Sequence, residues 1–175
     1  MKKFFYAAMA LLMAMTASTA LVACGDDDDD DNTNGIDSRI VGTWNSTVSE
    51  GWEYEDGALA DHWLDLNATT TRNYEIVNGK ETGKYFDETH DAEWEEVTFK
   101  ADGTWNATNE DNDNMSGTYS TVNGKLIVKV GNEIESSVSY EFKNNQLVLT
   151  SDVKGDDWRE VEVSYLDKGA YTSRK

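Results

Sequence analysis

The sequence predicts an all-β fold: an antiparallel up-and-down β-barrel of about eight strands, with a long insert after the first strand. Three observations lead there. Apolar and polar residues alternate with period two through most of the chain after residue 36, and the runs are bounded by pairs such as Asp102-Gly103, Asn123-Gly124 and Gly131-Asn132. Between Glu95 and Leu166 every connection is short, which leaves no room for crossover helices. A meander with one apolar face must bury that face, and closing into a barrel does so without leaving an edge. Proline is absent, so the turns fall to Gly, Asn and Asp, which tolerate positive φ. An open β-sandwich is the alternative, although the long connections of a Greek key are missing after Glu95.

Taken in order, Ile40 to Ser49 is the first run. Glu95 to Lys100 places Val97 and Phe99 on one face, turns at Asp102-Gly103 and returns through Thr104 to Asn109. Ser116 to Val122 carries Tyr119 and leads through Asn123-Gly124 into Lys125 to Val130, where Leu126, Val128 and Val130 share a face. Glu133 to Phe142 aligns Ile134, Val138, Tyr140 and Phe142; Gln146 to Thr150 follows, with Leu147 and Leu149 inward. Trp158 to Leu166 places Val161, Val163 and Tyr165 together. The total is eight runs.

Between the first and second runs lies Glu50 to Glu93, far longer than an ordinary connection, and such lengths carry function or structure of their own. It contains Trp52, Tyr54, Trp63, Tyr74, Tyr85 and Phe86. Leu59, Trp63 and Leu66 follow the i, i+4, i+7 spacing of a short amphipathic helix. Tyr74 to Val77 and Glu81 to Phe86 flank Asn78-Gly79 as an extra hairpin, which would make ten strands if it joined the barrel. If the first strand begins at a closed end of the barrel, this insert emerges at the open mouth, where its rings serve as a lid over a ligand or pack the insert onto the barrel.

Gly42-Thr43-Trp44 resembles the Gly-x-Trp signature at the start of lipocalin barrels, and Val97 to Thr104 resembles the Phe-Asp-Gly hairpin of lipocalin-like (calycin-type) lipoproteins of Bacteroidota. The resemblance implies that Trp44 plugs the closed end and that a basic residue late in the last strand stacks on it. Lys168 is the best-placed partner and Arg174 the next, whereas Arg159 sits at the wrong end.

The amino terminus carries a second resemblance. Lys2 and Lys3 precede an apolar stretch from Phe4 to Val22, and Leu21-Val22-Ala23-Cys24 resembles the lipobox of bacterial lipoproteins. The resemblance implies a signal peptide over 1–23, cleavage before Cys24 and lipidation of its thiol. Residues 24–36 form an acidic tether with six consecutive aspartates, Asp26 to Asp31, a block with nothing to bury. Such a run resembles the surface-export signal of Bacteroidota lipoproteins, and Gly25 after the cysteine fits outer-membrane sorting. The barrel domain is then 37–175, at the outer membrane, lipid-anchored and on the cell surface.

With 34 acidic against 15 basic residues and a net charge of −19, the chain repels phosphate backbones and anionic headgroups. Nucleic acid is a poor partner, and membrane attachment falls to the lipid on Cys24. That cysteine is the only one, so neither a disulfide nor a thiolate metal site is expected. No metal or cofactor is expected either: there are two histidines, His62 and His90, and the acidic loop at Asp111 to Gly117 has Asn123 where a calcium loop needs a bidentate glutamate. No nucleophile, base and orienting group can be placed together, so an enzyme is not expected.

Two readings of function remain. One is a binder of a small hydrophobic or amphipathic ligand, contacted by Trp52, Tyr54, Trp63, Phe99, Trp105, Tyr119 and Tyr140, with Val128 and Val138 also inward, and with Gly42, Trp44 and Lys168 structural. The other is a non-catalytic interaction module that docks another envelope protein or a glycan. An interior cavity of about 300 Å³ or more favours the first, a packed interior the second.

Overall fold

The computed structural model describes residues 35–130 and 134–172. The expectations for the signal stretch, Cys24, the aspartate run and Arg174 lie outside these residues. Eleven strands follow in chain order: β1 (Gly42–Glu55), β2 (Ala58–Asn67), β3 (Thr70–Val77), β4 (Lys80–Thr89), β5 (Glu95–Phe99), β6 (Thr104–Asn109), β7 (Asn114–Val122), β8 (Lys125–Val130), β9 (Ile134–Lys143), β10 (Gln146–Lys154) and β11 (Trp158–Lys168).

Their order is β11-β10-β9-β8-β7-β6-β5-β1-β2-β3-β4, and β11 also pairs with β1. Every strand of the ring β1-β5-β6-β7-β8-β9-β10-β11 is antiparallel to its neighbours, so the chain forms a closed eight-stranded barrel with three strands outside the ring. The expected hairpin around Asn78-Gly79 forms, but as β3 and β4 outside the barrel, so the barrel has eight strands and not ten.

The branch point is β1. One of its edges pairs with β11 from Trp44 to Glu55. The other pairs first with β5, over Gly42 to Ser46, and then with β2, over Glu50 to Glu55. The barrel wall therefore continues past its rim as the sheet β2-β3-β4. The insert expected to be a loop with a short helix is a three-stranded meander, and Leu59, Trp63 and Leu66 lie on a strand. A two-residue turn, Asp56-Gly57, starts it, with positive φ at both residues (49° and 78°). Asn78-Gly79, Asn123-Gly124 and Asn144-Asn145 are built the same way, in the backbone twist that matches tight hairpins.

A β-bulge between Ser46 and Val48 decides which way the upper half of β1 faces. Below it Trp44 points into the barrel and is 3% exposed. The extra residue reverses the alternation, because one inserted position sends every later side chain to the opposite face. Ser49 and Gly51, opposite Ser164 and Glu162, thus face inward, and Trp52 and Tyr54 face out. The same register corrects the expectation for the last strand. Glu162, Ser164 and Leu166 are its inward residues, and Val161, Val163 and Tyr165 lie together on the barrel's outer side.

The closed end is filled by the segment leading into β1. Ile36 and Ile40 are buried with Trp44, Phe99, Tyr119 and Leu147. The Trp44 indole N–H donates to the Ile40 carbonyl at 2.7 Å. Thr121 N–H donates to the Gly35 carbonyl at 2.6 Å, and the Tyr140 hydroxyl to Asp37 at 3.1 Å. Ile36 is thus part of the core, and the packed domain starts before the boundary expected at residue 37.

Candidate functional site

Above this plug the barrel holds a cavity of about 80 Å³. Val97 and Phe99 on β5, Trp105 on β6, Leu126 and Val128 on β8 and Leu149 on β10 form its apolar wall. They reach it by simple alternation: each occupies the inward parity of a strand whose other face meets solvent. Toward the rim the lining turns polar, with Ser46, Glu95, Ser151, Glu162 and Ser164. A gap of about 10 Å³ adjoins this polar end and shares Ser46, Glu95, Glu162 and Ser164 with it. The connection between β4 and β5 covers that gap with His90, Glu93 and Trp94. The connection is pinned: His90 N–H donates to the Thr69 carbonyl, Glu93 N–H to the Ala68 carbonyl, and Trp94 stacks on Tyr171 at 4.9 Å.

Two carboxyls set the electrostatics. Glu162 is 5% exposed; the Ser164 hydroxyl donates to its Oε1 at 3.3 Å, while Oε2 is buried without a hydrogen-bond partner. Burial, reinforced by Glu160 and Glu95, pushes its carboxyl up to about 8. Burial pushes Glu95 up to about 7, with Glu110 adding to the shift, although the side chain keeps some solvent contact. Among the described residues no lysine or arginine pairs with either. An unpaired carboxylate in such surroundings is strongly disfavoured, which is why both acids hold their protons near neutral pH.

Of the aromatic residues expected at the ligand, Phe99 and Trp105 line the cavity. Tyr119 and Tyr140 are interior but belong to the closed end: the Tyr119 hydroxyl donates to the Lys100 carbonyl at 2.8 Å, and its ring meets Phe99 edge-on at 4.9 Å. Trp63 faces the interior side of the sheet extension, where its ring crosses β1 directly over Gly51; a Cβ on Gly51 would sit 2.0 Å from it. The residue opposite Gly51 on the other side is Glu162, but Trp63 lines neither the cavity nor the adjoining gap. Trp52 and Tyr54 do not face the mouth. The bulge turns them to the outer face, contrary to the lid expectation.

That outer face carries a ladder of rings across four strands. Trp52 stacks on His62 at 5.0 Å, His62 on Tyr74 at 4.1 Å, and Tyr74 meets Tyr85 at 6.2 Å; the Arg72 guanidinium covers Tyr85 at 3.9 Å. His62 is held at both ring nitrogens, by Glu81 at 2.9 Å and Glu50 at 3.1 Å. On the opposite face Asp65, 1% exposed, accepts from Ser49 at 2.7 Å and from Thr71 at 2.5 Å. No cluster of three metal-binding side chains occurs among the described residues.

The polar end of the cavity was missed by the sequence reading. The signal existed: Leu166 must face inward to meet the core, and alternation back from it gives Ser164 and Glu162. The apolar run Val161, Val163, Tyr165 drew attention to the opposite parity. No protein-family model matches the chain, and neither does any curated protein or solved structure.

Proposed function

We propose that the protein is an envelope lipoprotein, anchored through a lipidated Cys24 and carried on the cell surface by its acidic tether, whose barrel binds one small amphipathic ligand. The observation that carries this reading is the interior cavity, with an apolar wall and a polar end in which Glu162 Oε2 has no partner. Buried polar atoms are nearly always satisfied, and an unsatisfied one on a residue that lines a cavity marks a place for a ligand group. At about 80 Å³ the cavity is well below the roughly 300 Å³ of a pocket for drug-sized molecules. At roughly 10–15 Å³ per enclosed water it has room for about half a dozen non-hydrogen atoms. The cavity thus falls short of the volume expected of a ligand carrier, and the reading is restricted to a ligand of this size.

The test is native mass spectrometry of protein purified from its own host. A bound small molecule that Trp105→Ala releases supports the reading; a protein that carries nothing and whose melting temperature no small amphiphile shifts overturns it. The anchor is tested separately, with Cys24→Ser, cell fractionation and labelling with a palmitate analogue. Continued membrane association with label would refute lipidation.

The outer ring ladder favours a second reading, an interaction module that docks another envelope protein or a glycan. Its rings combine apolar area with polar edges, the composition of many recognition surfaces. Under that reading Trp52→Ala abolishes partner capture and leaves the interior cavity unaffected.

A further inference from the structure

We infer that the ligand of the barrel cavity is a small amine, whose ammonium group sits between Glu95 and Glu162 and whose short apolar tail lies against Phe99, Trp105 and Leu126. The inference rests on the small-ligand reading above and specifies its chemistry.

The argument starts from what the polar end lacks. It offers acceptors: Glu162 Oε2 without a hydrogen-bond partner, the Glu95 carboxyl, and the hydroxyls of Ser46, Ser151 and Ser164. It offers no cation, since neither glutamate pairs with a lysine or arginine among the described residues. The titratable groups around them are mostly acidic as well: Glu160 on β11, Glu110 after β6, Asp65 on β2, and Glu93 beside His90 in the connection covering the adjoining gap. A carboxylate ligand such as a fatty acid would bring a third acid with no cation to pair with, and meets like charge as soon as either glutamate ionises. A neutral alcohol can donate one hydrogen bond. An ammonium donates three and supplies the missing positive charge, and charge-assisted bonds of this kind are about twice as strong as neutral ones. Phe99 and Trp105 form part of the apolar wall against which the tail packs.

Proton balance gives the inference a signature. Burial holds both carboxyls partly protonated near neutrality, at about 7 for Glu95 and about 8 for Glu162. The ammonium stabilises their charged forms, so its entry expels protons to solvent. Binding is then tighter at pH 8 than at pH 6, until the amine itself loses its charge.

The experiment uses the full chain in a neutral detergent too large for the cavity, with butylamine, butan-1-ol and butyrate as probes of one tail length. Calorimetry at pH 6 and pH 8, in buffers of different ionisation enthalpy, reads affinity and proton release. We expect butylamine to bind at least tenfold more tightly than butan-1-ol at pH 8 with release of protons, and butyrate not to bind. Glu162→Gln, which is close to isosteric, should lose most of the amine preference and keep the alcohol affinity; Glu95→Gln should act in the same direction. Asp156→Asn, at an exposed turn, should change nothing, which separates the site from general attraction of cations to an acidic protein. If butan-1-ol or butyrate binds as well as butylamine, or if both glutamine variants keep the amine preference, the amine assignment is wrong and the small-ligand reading stands. If none of the three binds at any pH, the small-ligand reading fails with it.

Discussion

The Nζ of Lys168 lies 5.5 Å from the centroid of the Trp44 ring, and the two residues are backbone partners across the seam that closes the barrel. The indole is buried and its N–H is held by the Ile40 carbonyl, whereas Lys168 covers it from the solvent side. The contact therefore has two unequal halves. Trp44→Ala should cost about 3–5 kcal/mol, as for other buried aromatic truncations. Lys168→Ala should cost under about 1 kcal/mol, as for an exposed cation over a ring. Urea denaturation of the two variants checks the ratio; equal losses would mean that Lys168 holds the seam by something other than the ring contact.

Asp37 fastens the plug at the closed end. It accepts from the Arg39 guanidinium and from the Tyr140 hydroxyl, and Arg39 holds its carboxyl below the usual aspartate range. A depressed folded-state value means that the contribution is present above about pH 4 and is lost as pH falls through the folded value. Asp37→Asn should lower the melting temperature at pH 7, and the difference should shrink as pH falls through the folded value. Melts followed by tryptophan fluorescence, to which Trp44 in the plug is one of six contributors, test this.

Trp63 and Tyr54 separate the sheet extension from a lid. A mobile lid would lose little stability on losing either ring. Trp63 is 7% exposed and fills the space over Gly51, whereas Tyr54 lies on the outer face beside Arg159, 5.8 Å from its ring. Trp63→Ala should therefore destabilise the protein by about 3 kcal/mol or more, and Tyr54→Ala by much less. Gly51→Val should act like Trp63→Ala, because a Cβ on Gly51 would overlap the indole, and overpacking of this kind costs about 1–3 kcal/mol. Thermal and urea melts of the three variants decide. If Gly51→Val is neutral, the ring does not cross β1.

The eight ring strands were legible because their signals are local. Alternation such as Leu126, Val128 and Val130, bounded by Asn123-Gly124, identifies a strand from a handful of residues. The strands β2 to β4 were less so, for a physical reason. On β2 the most deeply buried side chains include His62 and Asp65, which are satisfied by Glu50, Glu81, Ser49 and Thr71 from other parts of the chain. Partners on other strands let polar residues take buried positions on both faces, so period two vanished from β2 and the chance spacing of Leu59, Trp63 and Leu66 read as a helix. The Asp56-Gly57 turn was present as a signal and went unread. The direction of Trp52 and Tyr54 was beyond any local pattern, because it depends on one bulge between Ser46 and Val48. The polar end of the cavity depends on the same bulge, which brings Ser49 and Gly51 opposite Ser164 and Glu162.

Glu162 gives the protein a pH response of the opposite sign to Asp37. Its carboxyl is raised to about 8 by burial, above its value in the unfolded chain, so the folded state holds a proton that the unfolded state has released. The linkage is then unfavourable to folding as pH rises: stability is intact below about pH 4.5, declines up to about pH 8 and levels off above it. Glu95, raised to about 7, adds a decline over a narrower window. Glu162→Gln keeps the shape of the protonated acid and cannot ionise. It should be close to neutral at pH 4.5 and stabilising at pH 8.5, and it should flatten the curve between them. Urea denaturation midpoints at half-unit steps from pH 4.5 to 9 measure the difference. A variant that is less stable than the parent throughout that range would mean that the ionised Glu162 has a partner the structure does not show, and would remove the reason for placing a cation beside it.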